Sequence, residues 1–165
     1  MIAYAIIAAV IVQRLAELWY AQKNTRALRT EGAIEMGQAH YPLFIVLHSA
    51  WLGAILVALP RSVTLNWFLL AGYATLECLR VWTMVSLGSY WTTRIVSLPD
   101  APLVRRGPYR FLRHPNYLIV TGEIALLPLV FGEVWVAIVF SLLNAALLFW
   151  RIREEEAALG PRRVL

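Results

Sequence analysis

The sequence predicts an all-α, polytopic membrane protein with five transmembrane helices. Three observations carry this. First, 60% of the 165 residues are hydrophobic and only 15% are charged, with a mean hydropathy of +0.63. A soluble domain lies nearer half apolar and about a quarter charged. Second, the apolar residues form long runs without alternation. Helices fit such runs, whereas a membrane barrel needs many ~10-residue alternating strands. Third, Lys and Arg gather in the segments on one side of these runs. The length suits one domain spanning 1–165.

The first apolar run extends from Ile2 to about Tyr20. It has no basic start and contains Arg14 and Glu17, so it reads as a retained helix and not as a signal peptide. The second runs from Tyr41 to Leu59 and is stopped by Pro60, which removes a backbone donor and clashes with the preceding turn. The third runs from about Val63 to Leu87. The fourth, Tyr117 to Phe131, and the fifth, Val134 to Trp150, are separated only by Gly132 and Glu133. That spacing predicts a tight helical hairpin. Both runs fall somewhat short of the ~30 Å hydrocarbon core at 1.5 Å per residue.

Orientation follows from the cations. Twelve of the 15 Lys and Arg lie in the loop 21–40, the loop 88–116 and the tail after residue 150. The opposite side has only Arg61, and Arg14 and Arg80 lie within helices. The positive-inside rule therefore puts the N-terminus outside, and the loops and C-terminus in the cytoplasm, in a cell inner membrane. The same rule accounts for the net charge of +5 without nucleic acid as a partner. The only Cys, Cys78, excludes an internal disulfide and a multi-Cys metal site. The three His are scattered, and no metal site is predicted.

Several ionisable residues fall inside the predicted helices. Arg14 with Glu17, and Glu77 with Arg80, are spaced three apart and share a helix face, so each pair can neutralise itself. They can equally line a polar cavity, since intramembrane charges are functional suspects. Glu123 has no local cation and either bonds another helix or sits at a site. His48, one turn before Trp51, reads first as a bundle histidine, and His40 as interfacial.

The stretch from Leu103 to Tyr117 holds four arginines, His114, Pro108 and Pro115. Arg110, Arg113 and His114 suit an anion, Gly107 permits a close backbone approach, and the prolines stiffen their turns. Glu154, Glu155 and Glu156 lie at a helix end, where the macrodipole prefers cations. They need Arg151 and Arg153 or a cationic partner. A hairpin of the last two helices would bring residues 113–117 and 151–156 to one cytoplasmic face. The pocket between them would have an anion-binding and a cation-binding wall. A zwitterion carrying a ribose, such as S-adenosylmethionine, fits that description, as do other polar ligands.

Gly107-Pro108-Tyr109, Arg113-His114-Pro115-Asn116-Tyr117, the apolar hairpin, then Arg151 and Glu155-Glu156-x-x-Leu159 resemble the isoprenylcysteine carboxyl methyltransferase family. Gln13-Arg14-Leu15, Glu17-Leu18, Gly32-Ala33, His40-Tyr41, Arg80-Val81-Trp82, Leu87-Gly88 and Trp91 are similar to its bacterial subgroup associated with type III polyketide synthases, which methylates alkylated phenols or alkylpyrone enols. The resemblance implies S-adenosylmethionine at the cytosolic face, held by Val104, Gly107, Tyr109, Arg113, His114, Pro115, Tyr117, Glu155 and Glu156. It also implies a lipophilic methyl acceptor arriving from the bilayer. Glu154 is extra to the pattern. The chain continues from Leu159 only through Gly-Pro-Arg-Arg-Val-Leu, without the aromatic tail of eukaryotic members, which favours the bacterial subgroup over a prenylcysteine substrate.

The expected chemistry is in-line methyl transfer to oxygen, in which alignment is the main task. A phenol or enol would benefit from a base or a stabilising cation. On the acceptor side the candidates are Arg14, His48 and Glu123; His114 is a further candidate base. Two rival readings remain at this point. Steroid reductase-like proteins that use NADPH carry a similar Arg-His-Pro-Asn-Tyr, and a small transporter or scaffold would use the intramembrane charges as a path.

Overall fold

A computed structural model describes residues 1–60, 62–98, 101 and 104–159, apart from the side chains of His40, Ala158 and Leu159. Arg61, Leu103, Arg162 and Arg163, which enter the readings above, lie outside the described residues, as does the Leu159 side chain. The elements are α1 (Ile2–Thr30), β1 (Ile34–Met36), α2 (Tyr41–Ala58), α3 (Trp67–Leu87), β2 (Ile95–Ser97), α4 (Pro115–Val130) and α5 (Val134–Leu159), with short 3₁₀ turns at Gln38–His40, Gly88–Tyr90 and Gly107–Arg110.

Two helices outrun their apolar segments. α1 continues past Tyr20 because residues 21–30 contain neither Gly nor Pro, and it ends just before Gly32, whose φ is +91°. α5 continues past Trp150, so Arg151 and the three glutamates are helical. In both, loss of hydropathy marks the predicted end, while the backbone follows helix propensity. α3 begins later than expected, at Trp67, where the Asn66 side chain accepts from Leu69 N at 3.1 Å. α4 begins earlier, with Pro115 in its first turn, where a missing N–H costs nothing.

α1, α2, α3 and α5 are long and apolar enough to cross a membrane. α4 has 16 residues, about 24 Å of helix. It packs between α3 and α5, and α2 packs on α5. Gly122 makes the α3–α4 approach possible, since a Cβ there would lie 2.7 Å from Leu76 Cδ1. Ile7, Trp51, Ile55, Ile124 and Leu127 fill the centre of the bundle. Large apolar side chains such as Val57, Phe68, Trp135 and Leu142 are exposed on its outside, as a bilayer requires.

The two strands are a departure from the all-helical expectation. β1 and β2 pair antiparallel in the register Ile34↔Ser97, Glu35↔Val96, Met36↔Ile95. Each has three residues, too few to show a period of two in sequence. Arg29 and Arg94 both hydrogen-bond Glu35, and Arg94 lies 4.0 Å above the Tyr41 ring. Burial opposes ionisation of Glu35, but the hydrogen bonds and charges of Arg94 and Arg29 outweigh it and hold its carboxyl below the usual range. A group depressed in the folded state stabilises above its unfolded pKa, and that contribution is lost as pH falls through the folded value. The ribbon should therefore lose this support as the pH falls below the usual glutamate range. Hydrogen exchange of peptides covering 33–37 and 94–98, corrected for intrinsic rates, should show this loss of protection at low pH. In Glu35→Gln the protection should be weak and independent of pH.

Candidate active site

The basic stretch is fastened to α3 before it reaches the site. Gly107 has φ +56°, and a Cβ on it would meet Ser86 Oγ at 2.0 Å. Its close approach is thus to α3, where the sequence alone left room for a ligand. Arg106 Nε donates to Ser86 O at 2.6 Å, and Pro108 is buried. These contacts seat the turn Gly107–Arg110 on the end of α3. Arg110 points outward with its guanidinium 5.9 Å from the Phe111 ring.

The α4–α5 hairpin then brings two distant stretches together. The Tyr117 hydroxyl donates to Glu155 and accepts from Arg151 Nε at 2.8 Å. His114 Nδ1 lies 3.6 Å from Glu155 Oε1, and its ring stacks on Tyr117 at 5.1 Å with 10° between planes. Arg151 also donates to Thr93 O at 3.0 Å. Arg151 and Glu155 share a face of α5 because they are four residues apart. Glu154 and Glu156 point elsewhere. Glu154 accepts from Trp150 Nε1 at 3.3 Å, and Glu156 is half-exposed, 3.9 Å from Arg113 and from His114.

This cluster lines a cavity of about 460 Å³, within the ~300–1,000 Å³ of small-molecule sites. Val104, Tyr109, Arg113, His114, Tyr117 and Glu155 line it. Of the other predicted cofactor residues, Gly107 packs on α3, Pro115 is buried in the first turn of α4, and Glu156 flanks the cluster. Burial, with the charge of Glu155 beside it, pushes the Tyr109 hydroxyl up, so it remains a neutral phenol. Leu28, Leu87, Tyr90 and Trp91 also line it. Asn116 Oδ1 and Trp91 Nε1, both on cavity residues, are buried without hydrogen-bond partners among the described residues. The donor set fits S-adenosylmethionine: a carboxylate for an ammonium or ribose hydroxyls, Arg113 and His114 for a carboxylate, and an unpaired amide oxygen for a further donor. Arg151 and Trp91 were not among the predicted site residues. The signal for Arg151 was its i, i+4 spacing to Glu155, and both Arg151 and Trp91 belong to the stretches that carry the family resemblance.

Arg14, His48 and Glu123 are not cavity residues. Arg14 and Glu123 lie deeper in the bundle, in a network joining α1, α3 and α4. Arg14 reaches Glu17 at 3.0 Å, Glu123 at 2.7 Å and Glu77 at 3.6 Å. Arg80 reaches Glu17 at 2.8 Å and Glu123 at 2.8 Å. Gln13 donates to Glu17 and to Glu77. Arg14–Glu17 is therefore a local pair as spaced, but Arg80 turns to Glu17 and Glu123 on other helices. Glu123 bonds two cations, neither on its own helix. His48 Nδ1 donates to Phe44 O at 2.8 Å, and its ring meets Trp51 edge-on. Beside the network an apolar groove between α1 and α3 runs from Gln13 and Glu77 towards Tyr20 and Met84.

The isoprenylcysteine carboxyl methyltransferase family matches over residues 67–161, which contain α3, α4, α5 and the basic stretch. The chain is 39% identical over 160 residues to the uncharacterized protein YpbQ of Bacillus subtilis, covering 94% of this chain and 95% of that one. It is 28% identical over 158 residues to an uncharacterized protein of Haemophilus influenzae, covering 93% and 92%. No solved structure gives a significant match.

Proposed function

The chain belongs to the isoprenylcysteine carboxyl methyltransferase family, and from that premise we propose that it is an S-adenosylmethionine-dependent O-methyltransferase acting on a lipophilic acceptor. The acceptor class is an alkylated phenol, pyrone or carboxylate, the first two being those of the subgroup linked to type III polyketide synthases. One observation carries the reading. Glu155, Tyr117, His114 and Arg151 come from stretches more than thirty residues apart and interlock around a single cavity. Ion pairing for topology alone requires the sign of these residues and not this arrangement.

In this reading α4 spans with the other four helices, the N-terminus is outside, and the cavity opens at the cytosolic face. Glu155, set by Tyr117 and His114, receives the ammonium or the ribose of the cofactor. Arg113 and His114 face its carboxylate. Bound there, the cofactor would supply an activated methyl group for transfer to an acceptor oxygen, and these residues would hold and orient it. Arg151 holds Tyr117 and the Thr93 backbone together, so the wall is formed before ligand arrives and little ordering remains at the reaction. The acceptor's hydrocarbon chain comes from the bilayer along the α1–α3 groove, whose Met84 end lies one turn from Leu87 of the cavity. Arg14 and Glu123 tie the three helices that frame this route.

The test is transfer of labelled methyl from S-adenosylmethionine into a total lipid extract by detergent-purified protein, with mass identification of the product. A labelled ether or ester of an alkylated oxygen acid is expected. Consumption of NADPH with no labelled lipid would overturn the reading.

A further inference from the structure

α1, the end of α3 and the turn after it contribute Leu28, Leu87, Tyr90 and Trp91 to the cavity lining, an α1-side wall of uncharged side chains. Trp91 is 3% exposed, and its Nε1 has no hydrogen-bond partner among the described residues. Its place is set by backbone: Asn24 on α1, itself buried, donates to Trp91 O at 2.9 Å and to Gly88 O at 3.1 Å, and Tyr20 donates to Gly88 O at 3.1 Å. The backbone of Trp91 is thus tied to α1, and its indole is buried with an unused donor on a residue of the cavity. An indole N–H donates and cannot accept. A buried donor left unpaired costs about 1–3 kcal/mol, so a ligand that supplies an acceptor oxygen gains what the folded chain forgoes.

We propose that Trp91 is a specificity-determining residue for the methyl acceptor, its indole N–H donating to an oxygen of a lipophilic oxygen acid seated on the α1-side wall. This rests on the methyltransferase reading above and refines it. The apolar part of the wall suits an alkyl chain or ring, and the α1–α3 groove lined by Tyr20 and Met84 lies one helical turn away along α3. A carboxylate, phenolate or enolate has lone pairs for the indole. An alkylammonium has none, so it leaves the donor unpaired and is disfavoured. Sites built around a buried polar group reject ligands that cannot satisfy it more strongly than apolar pockets reject a change of size.

The experiment uses full-length protein in detergent with Trp91→Phe, which keeps a ring and removes the N–H. Three measurements are made. S-adenosylhomocysteine affinity should match wild type. KM for an oxygen acceptor, dodecanoate or 5-pentadecylresorcinol, should rise about tenfold, one hydrogen bond's worth, with kcat little changed. In protein labelled with 5-fluorotryptophan, the fluorine resonance missing from Trp91→Phe, one of seven in wild type, should move on adding either oxygen compound and stay put with dodecylamine. A shift produced by S-adenosylhomocysteine alone would place the indole on the cofactor and overturn the proposal. So would an unchanged KM, or an equal shift with dodecylamine. If wild type itself neither binds S-adenosylhomocysteine nor methylates, the methyltransferase reading fails and this assignment fails with it. A wild-type enzyme that methylates with an unmoved Trp91 resonance sinks the assignment alone.

Discussion

Glu155→Ala should lower affinity for S-adenosylhomocysteine at least about 100-fold, some 2.7 kcal/mol, while the protein stays folded. Glu155 is the carboxylate on which the cavity converges. Tyr117 donates to it, His114 stands at 3.6 Å, and Arg151 approaches through Tyr117. Removing it deletes a charged acceptor for the ligand, a hydrogen bond of about 1.5–3 kcal/mol. It also frees Tyr117 and His114 from the position they hold. Glu156→Ala is the matched control. That residue is half-exposed, and its contact with Arg113 is at 3.9 Å, so solvent already screens it. Its loss should change affinity no more than about threefold. Titration calorimetry of both variants in detergent decides the matter, with helical content checked by circular dichroism. Wild-type affinity in a folded Glu155→Ala would remove the acidic wall from the site.

Glu123→Gln should destabilise the bundle by about 3–5 kcal/mol, whereas Glu77→Gln should change it little. Glu123 is 1% exposed and takes a guanidinium from each of Arg14 and Arg80. Neutralising it leaves two buried cations to share the remaining carboxylates, and removing one partner of a buried pair is far costlier than the pair is worth. Glu77 is different. It stands 3.6 Å from Arg14 and borders the lipid-facing groove. Either variant leaves two carboxylates for two guanidiniums, so the difference lies in contact: Glu77→Gln keeps both close bonds of Glu123, and its amide oxygen can still accept from Gln13. Equilibrium unfolding of both variants in the same detergent measures the difference. Equal loss in the two would mean that the two close guanidinium bonds of Glu123 do not set it apart from Glu77.

The hairpin and the meeting of residues 113–117 with 155 were legible because they rest on short-range facts. A two-residue link between apolar runs forces antiparallel neighbours, and i, i+4 spacing puts Arg151 and Glu155 on one face. Helix ends were read less well. Residues 21–30 and 151–159 continue as helix although their hydropathy has changed, because polarity determines what a helix faces and not whether its backbone bonds form. The β1–β2 ribbon was invisible, since three residues a side cannot display a period and its register depends on Glu35 finding two arginines from elsewhere.

By itself, then, the sequence determined that this is an α-helical membrane protein whose basic loop and acidic helix end meet at one face. Hydropathy, charge bias and linker length are properties of adjacent residues and survive without a fold. Only the tertiary structure decided who pairs with whom. Gly107 packs on Ser86, Arg80 bonds Glu17 and Glu123, and Trp91 keeps its donor free on a wall built by Asn24. Each of these depends on the rotation and depth of one helix against another. A long side chain in an apolar medium takes the nearest opposite charge in space, and local spacing does not specify which helix will present it.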